Sequence, residues 1–157
     1  MLFWVRDFKV KTTSIMLGLS LATVSTAGAA SAQEWHSISR NAERVYMANV
    51  GGMTVVDDVT TIMVARVPRK PASATDYSYT ADEYAYRCAA NQVRPGASVE
   101  YGEDGSETNR FEDGGDWEAV RPETLDAFVK QVACDGERAN PPVFPTIKAF
   151  MEAGRGN

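Results

Sequence analysis

The chain is poor in the side chains on which most catalytic and cofactor chemistry depends. Of its 157 residues one is histidine and two are cysteine. A nucleophilic triad needs a base. His36 sits beside Trp35 near the expected start of the folded region, where chain ends fray, and reads as a surface or edge-strand histidine. A zinc centre needs three or four His, Cys or carboxylate ligands, and the two cysteines have another use. Gly51-Gly52 and Gly114-Gly115 do not open helices, so the glycine signatures that cradle phosphate are missing. The run Gly102 to Glu107 lacks the ligand order of a calcium loop. No catalytic residue, metal ligand or cofactor is therefore expected.

A long apolar run is missing too. Thr12 to Ala32 is uncharged but diluted by Thr, Ser and Gly, whereas a spanning helix needs roughly 20 predominantly apolar residues. Arg6, Lys9 and Lys11 precede it, and Ala30-Ser31-Ala32 closes it with the small-residue pattern of a cleavage site. Residues 1–32 read as a secretory signal, which leaves no stable membrane span after cleavage. No cysteine adjoins the cut to carry a lipid, and no Arg-Arg pair marks the twin-arginine route. The chain is thus expected to be exported, to a periplasm or a cell surface. About 125 residues remain, the size of one domain: residues 33–136 as that domain and 137–157 as a Pro-rich, loosely attached tail with a short helix near Thr146 to Ala153. The net charge of −5 becomes more negative once the basic leader is removed, which argues against nucleic acid and anionic lipid as partners.

What is present points to a small disulfide-linked fold. Cys88 and Cys134, both beyond the leader, are expected to pair in an oxidising compartment; they are too far apart for the C-x-x-C spacing of redox pairs. Glu34 to Ser39 is a candidate edge strand. Arg44 to Asn49 is a β-rich run closed by Gly51-Gly52, and Met53 to Val56 continues extended until Asp57-Asp58 interrupts it. Val59 to Val67, rich in β-branched residues and stopped by Pro68, is the central strand. Tyr84, Tyr86 and Cys88 alternate on one strand face. Ser98 to Tyr101 leads into an Asp104-Gly105 hairpin turn, with Thr108 to Glu112 returning and Phe111 as anchor.

One helix is expected from Pro122 to about Cys134. Leu125, Phe128, Val129 and Val132 form its apolar stripe. Cys134 falls roughly opposite that stripe, so either the last turn unwinds or the bridge reaches the helix end from its flank. The class is α+β: an antiparallel sheet of about five or six strands with one packed C-terminal helix and one disulfide.

Two function classes remain. Tyr is enriched at protein interfaces, and Tyr77, Tyr79 and Tyr101 are the candidate binding surface of a non-enzymatic envelope protein whose partner is a protein the sequence does not name. The alternative is a small envelope-polymer hydrolase using a carboxylate pair drawn from Asp57, Asp58, Asp116 and Glu118.

The spacing of several of these residues resembles the surface-adhesin protein E family of small exported bacterial proteins. The points of contact are Trp35, the Val45-Tyr46 strand, Tyr84-Ala85-Tyr86-Arg87-Cys88, Tyr101 with Asp104-Gly105, Trp117-Glu118-Ala119-Val120-Arg121-Pro122, and a helix closing on Cys134. The likeness runs from Trp35 to Cys134. It implies an antiparallel sheet with one helix tied by a Cys88–Cys134 bridge, cell-envelope location, and self-association as a homodimer. It also implies adhesion to host extracellular proteins, although no binding-site residues carry over.

Overall fold

A computed structural model describes residues 32–112 and 114–156; apart from Ala32, the expected leader lies outside the described residues. The elements run β1 (Trp35–Arg40), β2 (Arg44–Asn49), β3 (Thr54–Val56), β4 (Val59–Pro68), β5 (Tyr79–Arg87), β6 (Gln92–Tyr101), β7 (Glu107–Phe111), β8 (Glu118–Ala119), α1 (Leu125–Cys134) and α2 (Ile147–Glu152). They form one eight-stranded antiparallel sheet in the order β1-β2-β4-β5-β6-β7, with β3 added to β4 and β8 to β6. The class is α+β, but the sheet exceeds the five or six strands expected and carries two helices rather than one. The extra strands, three and two residues long, are too short to show alternation. β3 exists because Asp57 and Asp58, both at positive φ (48° and 62°), close the tight mirror-image turn that suits a two-residue hairpin.

Both faces of the sheet are covered at β4, which explains its nearly unbroken apolar run. Ile62 and Val64 pack with Ala48, Tyr86 and the α1 residues Val129 and Val132. Ala65 and Val67, which point the other way, pack with Val45, Met47 and the α2 residues Ile147, Phe150 and Met151. Burying each of those α2 side chains contributes about 1.5–3 kcal/mol. The register of β6 against β5 shifts between Asp82 and Tyr84, and a one-residue bulge reverses which face a strand's residues see. Val93 therefore joins the α1 cluster, whereas Tyr101, eight positions on, joins the α2 cluster.

Several local expectations are corrected. The helix starts at Leu125, not Pro122, because Thr124 is its cap: the Thr124 hydroxyl accepts from the Ala127 N–H at 3.3 Å, satisfying a donor the first turn leaves open. Phe128 and Phe111 are 45% and 50% exposed, so Phe128 falls outside the buried part of its helix stripe and Phe111 is not the strand anchor expected. Cys88 lies just past β5, in the turn, and is bonded to Cys134 with Cα atoms 5.5 Å apart. The last turn of α1 stays wound, the Asp135 N–H donating to the Gln131 carbonyl, so the bridge meets the helix end from its flank.

The segment after Gly136 is no loose tail. Phe144 exchanges two backbone hydrogen bonds with Trp35, at 2.8 and 3.0 Å, and α2 then closes the second face. The buried Arg155 guanidinium ends the chain's path, donating to the Pro68 carbonyl at 3.0 Å and to the Asp76 carbonyl.

Candidate binding site

Tyr77, Tyr79 and Tyr101 line one cavity of about 300 Å³ on the α2 side of the sheet. Tyr79 and Tyr101 are direct cross-strand partners on β5 and β6. Their rings stack with centroids 4.2 Å apart and planes 6° apart. Tyr101 reaches this face only because of the β6 bulge. Burial, reinforced by Tyr101, pushes the Tyr79 phenol well above the usual range.

Tyr77, just ahead of β5, is tied to the β6–β7 hairpin by its N–H, which donates to the Glu103 carbonyl at 2.9 Å. Gly105 in that hairpin has φ +79°, and an added Cβ would sit 3.7 Å from the Tyr77 Cβ. The positive φ is what glycine fits here, since a Cβ at that distance from Tyr77 would make only ordinary contact.

The remaining walls come from elements distant in sequence. Trp35, Met63 and Ala81 form the apolar floor, and Asn49, Asp104, Thr146, Ile147 and Lys148 complete the lining with Gln33. The Trp35 indole N–H donates to the Gln33 amide oxygen at 3.1 Å, so a polar group on a buried ring is satisfied. The Lys148 ammonium lies 4.7 Å over the Tyr77 ring and 3.6 Å from a Glu152 carboxylate oxygen, to which the Tyr77 hydroxyl also donates at 3.3 Å. The result is an apolar, aromatic hollow with polar groups around its mouth, the usual make-up of a recognition pocket.

Trp35, Met63 and the α2 residues were not among the binding residues expected from sequence. The short helix expected near Thr146 to Ala153 is present as α2, capped by Thr146, which accepts from the Ala149 N–H at 3.0 Å, but its place in the cavity wall was not expected.

The carboxylates weighed for hydrolysis are differently placed. Asp57 and Asp58 are the exposed centre of the β3–β4 turn. Asp116 and Glu118 are exposed, Glu118 on β8 where it pairs with Val93 of β6. Asp126, half-buried at the start of α1, has its carboxyl pushed upward by burial, with Arg121 opposing and Glu118 adding to the rise. His36 is 3% exposed on β1, with Nε2 2.7 Å from a Glu34 oxygen. Among the described residues no group of three His, Cys, Asp or Glu side chains is arranged to hold a metal ion, and no helix is long and apolar enough to cross a membrane.

The pattern of the surface-adhesin protein E family matches residues 25–135. The chain belongs to that family. The match takes in the sheet, most of the tyrosine cavity and both cysteines of the bridge, while α2, which supplies Thr146, Ile147 and Lys148 to the cavity, lies beyond it. No curated protein and no solved structure matches the chain. For this surface-adhesin protein E member, the matched residues include the sheet and the bridge, and the cavity must be read from the chain's own residues.

Proposed function

We propose that this chain is an exported, non-catalytic envelope module that holds a protein partner by taking one of the partner's side chains into the tyrosine cavity. The single observation that carries the reading is the convergence of Tyr77, Tyr79 and Tyr101 on one hollow. Tyrosine supplies large contact area with few rotatable bonds, so it costs little entropy to fix on binding. Membership of an adhesin family supports a binding role, and the leader-like residues 1–32 support export, with residues 33–136 and the segment that follows them remaining as the exported body.

The test compares partner retention by the natural chain and by Tyr79→Ser/Tyr101→Ser, using envelope and extracellular-matrix proteins as prey. The variant should lose the partner that the natural chain holds. A lesser reading, hydrolysis of an envelope polymer, is favoured only by the raised Asp126 carboxyl near Glu118. It requires polymer cleavage that disappears in Asp126→Asn.

A further inference from the structure

On the same sheet face, at the end that α2 does not reach, Arg87 and Arg94 project from neighbouring strands. Arg87 pairs with Gln92, and Arg94 with Ala85, so the two side chains are diagonal neighbours. Both guanidiniums lie on the ring of Trp117, at 4.2 and 4.9 Å from its centroid. Trp117 is held there from two sides. β8, which follows it directly, pairs with Gln92 and Val93. The loop before it lies so close on β6 that a Cβ at Gly115 would come 2.7 Å from Pro95 Cγ.

A guanidinium that stacks on an aromatic ring uses its face and leaves its in-plane N–H donors free. Among the described residues neither Arg87 nor Arg94 has an ion pair or a hydrogen bond to spend them on. Two like charges are thus held at one ring, in a chain of net charge −5. Two carboxylates, Glu83 and Glu112, line the adjoining cleft of about 330 Å³. Glu112 is turned toward Arg110, at 4.0 Å, and Glu83 lies against Gly96.

We propose that Arg87, Arg94 and Trp117 form an oxyanion site for a tetrahedral phosphate or sulfate group, separate from the tyrosine cavity. Two fixed monovalent cations match a divalent anion, and the forked donors of arginine match its several oxygens. The stacking on Trp117 orders both side chains before the ligand arrives, which lowers the entropy lost on binding.

The experiment follows the indole N–H signals of Trp117 and Trp35 by NMR while the exported protein is titrated, at constant ionic strength, with inorganic phosphate, sulfate, acetate or chloride. The Trp117 signal should move saturably with phosphate and sulfate and not with acetate or chloride, while that of the buried Trp35 stays still. Arg87→Gln and Arg94→Gln should each weaken phosphate binding about tenfold, the loss expected for a charge-assisted hydrogen bond. An unchanged Trp35 signal in the variants shows the fold intact. A saturable response to the free ions supports the site, and a response confined to sulfated or phosphorylated glycan fragments supports it with a polymer as source. No saturation with any of these, an equal response to acetate, or an undiminished response in the variants would overturn it.

Discussion

The ring of Tyr79 lies flat against that of Tyr101 at 4.2 Å, and the two residues face each other across β5 and β6. The stack fixes two cavity walls in one orientation, and it works only because the β6 bulge turns Tyr101 to the α2 side. Aromatic pairs in such contact are worth about 0.5–1.5 kcal/mol beyond the area they bury. Tyr101→Ala should therefore loosen both the cavity and the sheet.

Burial also governs how these phenols titrate. It pushes Tyr79 and Tyr86 well upward and Tyr84 up to about 12, against an ordinary value near 10 in the unfolded chain. The folded state thus holds these protons more tightly. The stability this contributes is complete below about pH 10 and is lost as pH rises through the folded values. Phenolate absorbance should show Tyr79, Tyr84 and Tyr86 ionising only together with loss of near-UV circular dichroism. Ionisation near pH 10 with native dichroism intact would refute this.

The Cys88–Cys134 bridge spans a sequence separation of 46. Closing a loop of that length stabilises the fold by about 4 kcal/mol on the chain-entropy account. Cys88→Ser should lower the melting temperature by roughly 10 °C or more for a domain of this size, and thiol titration of the unfolded, unreduced natural chain should find almost none. An unchanged melting curve would remove the bridge from the structural account.

Arg155 anchors the far end of the chain by its bonds to the Pro68 and Asp76 carbonyls. Arg155→Ala should cost about 2 kcal/mol, since it leaves carbonyl acceptors short of a donor, and differential scanning calorimetry would measure it. Asp76 shares this corner. Hydrogen bonds from Ser78, then from the Ala72 N–H, hold its carboxyl below the usual range. Its contribution is present above the ordinary carboxylate value near 4 and fades as pH falls below it. Asp76→Asn should accordingly flatten the acid limb of the stability curve; an identical limb would contradict this.

The strand run Val59 to Pro68, the Asp104-Gly105 turn and the paired cysteines were legible in the sequence because each rests on a local signal: β-branching, a dipeptide that tolerates positive φ, and compartment chemistry. The tyrosines were legible as candidates, but their meeting at one hollow was not. That depends on the β6 bulge, which alternation counting does not show, and on α2, which was expected as a short helix but whose packing onto the sheet no local signal announces. The start of α1 was misplaced because Pro122 and Glu123 imitate a helix opening that Thr124 supplies. Phe111 and Phe128 misled because large apolar residues are often exposed one at a time.

At the β3–β4 turn the structure asks for positive φ at Asp57 and Asp58. Asp57→Asn/Asp58→Gly should stabilise the chain by about 0.5–1 kcal/mol, because Asn-Gly adopts that turn with less strain. The same variant should bind its partner as the natural chain does, since the turn is no part of the cavity. Denaturant midpoints and partner retention measure the two effects; a loss of binding would show that the exposed hairpin matters to recognition.

The most direct measurement is the dissociation constant of the captured partner for the natural chain against Tyr79→Ser/Tyr101→Ser, with Asp57→Asn/Asp58→Gly as a control outside the cavity. Recognition through the tyrosine hollow predicts at least a tenfold weakening in the tyrosine variant and none in the control. Equal affinity for all three chains would contradict it.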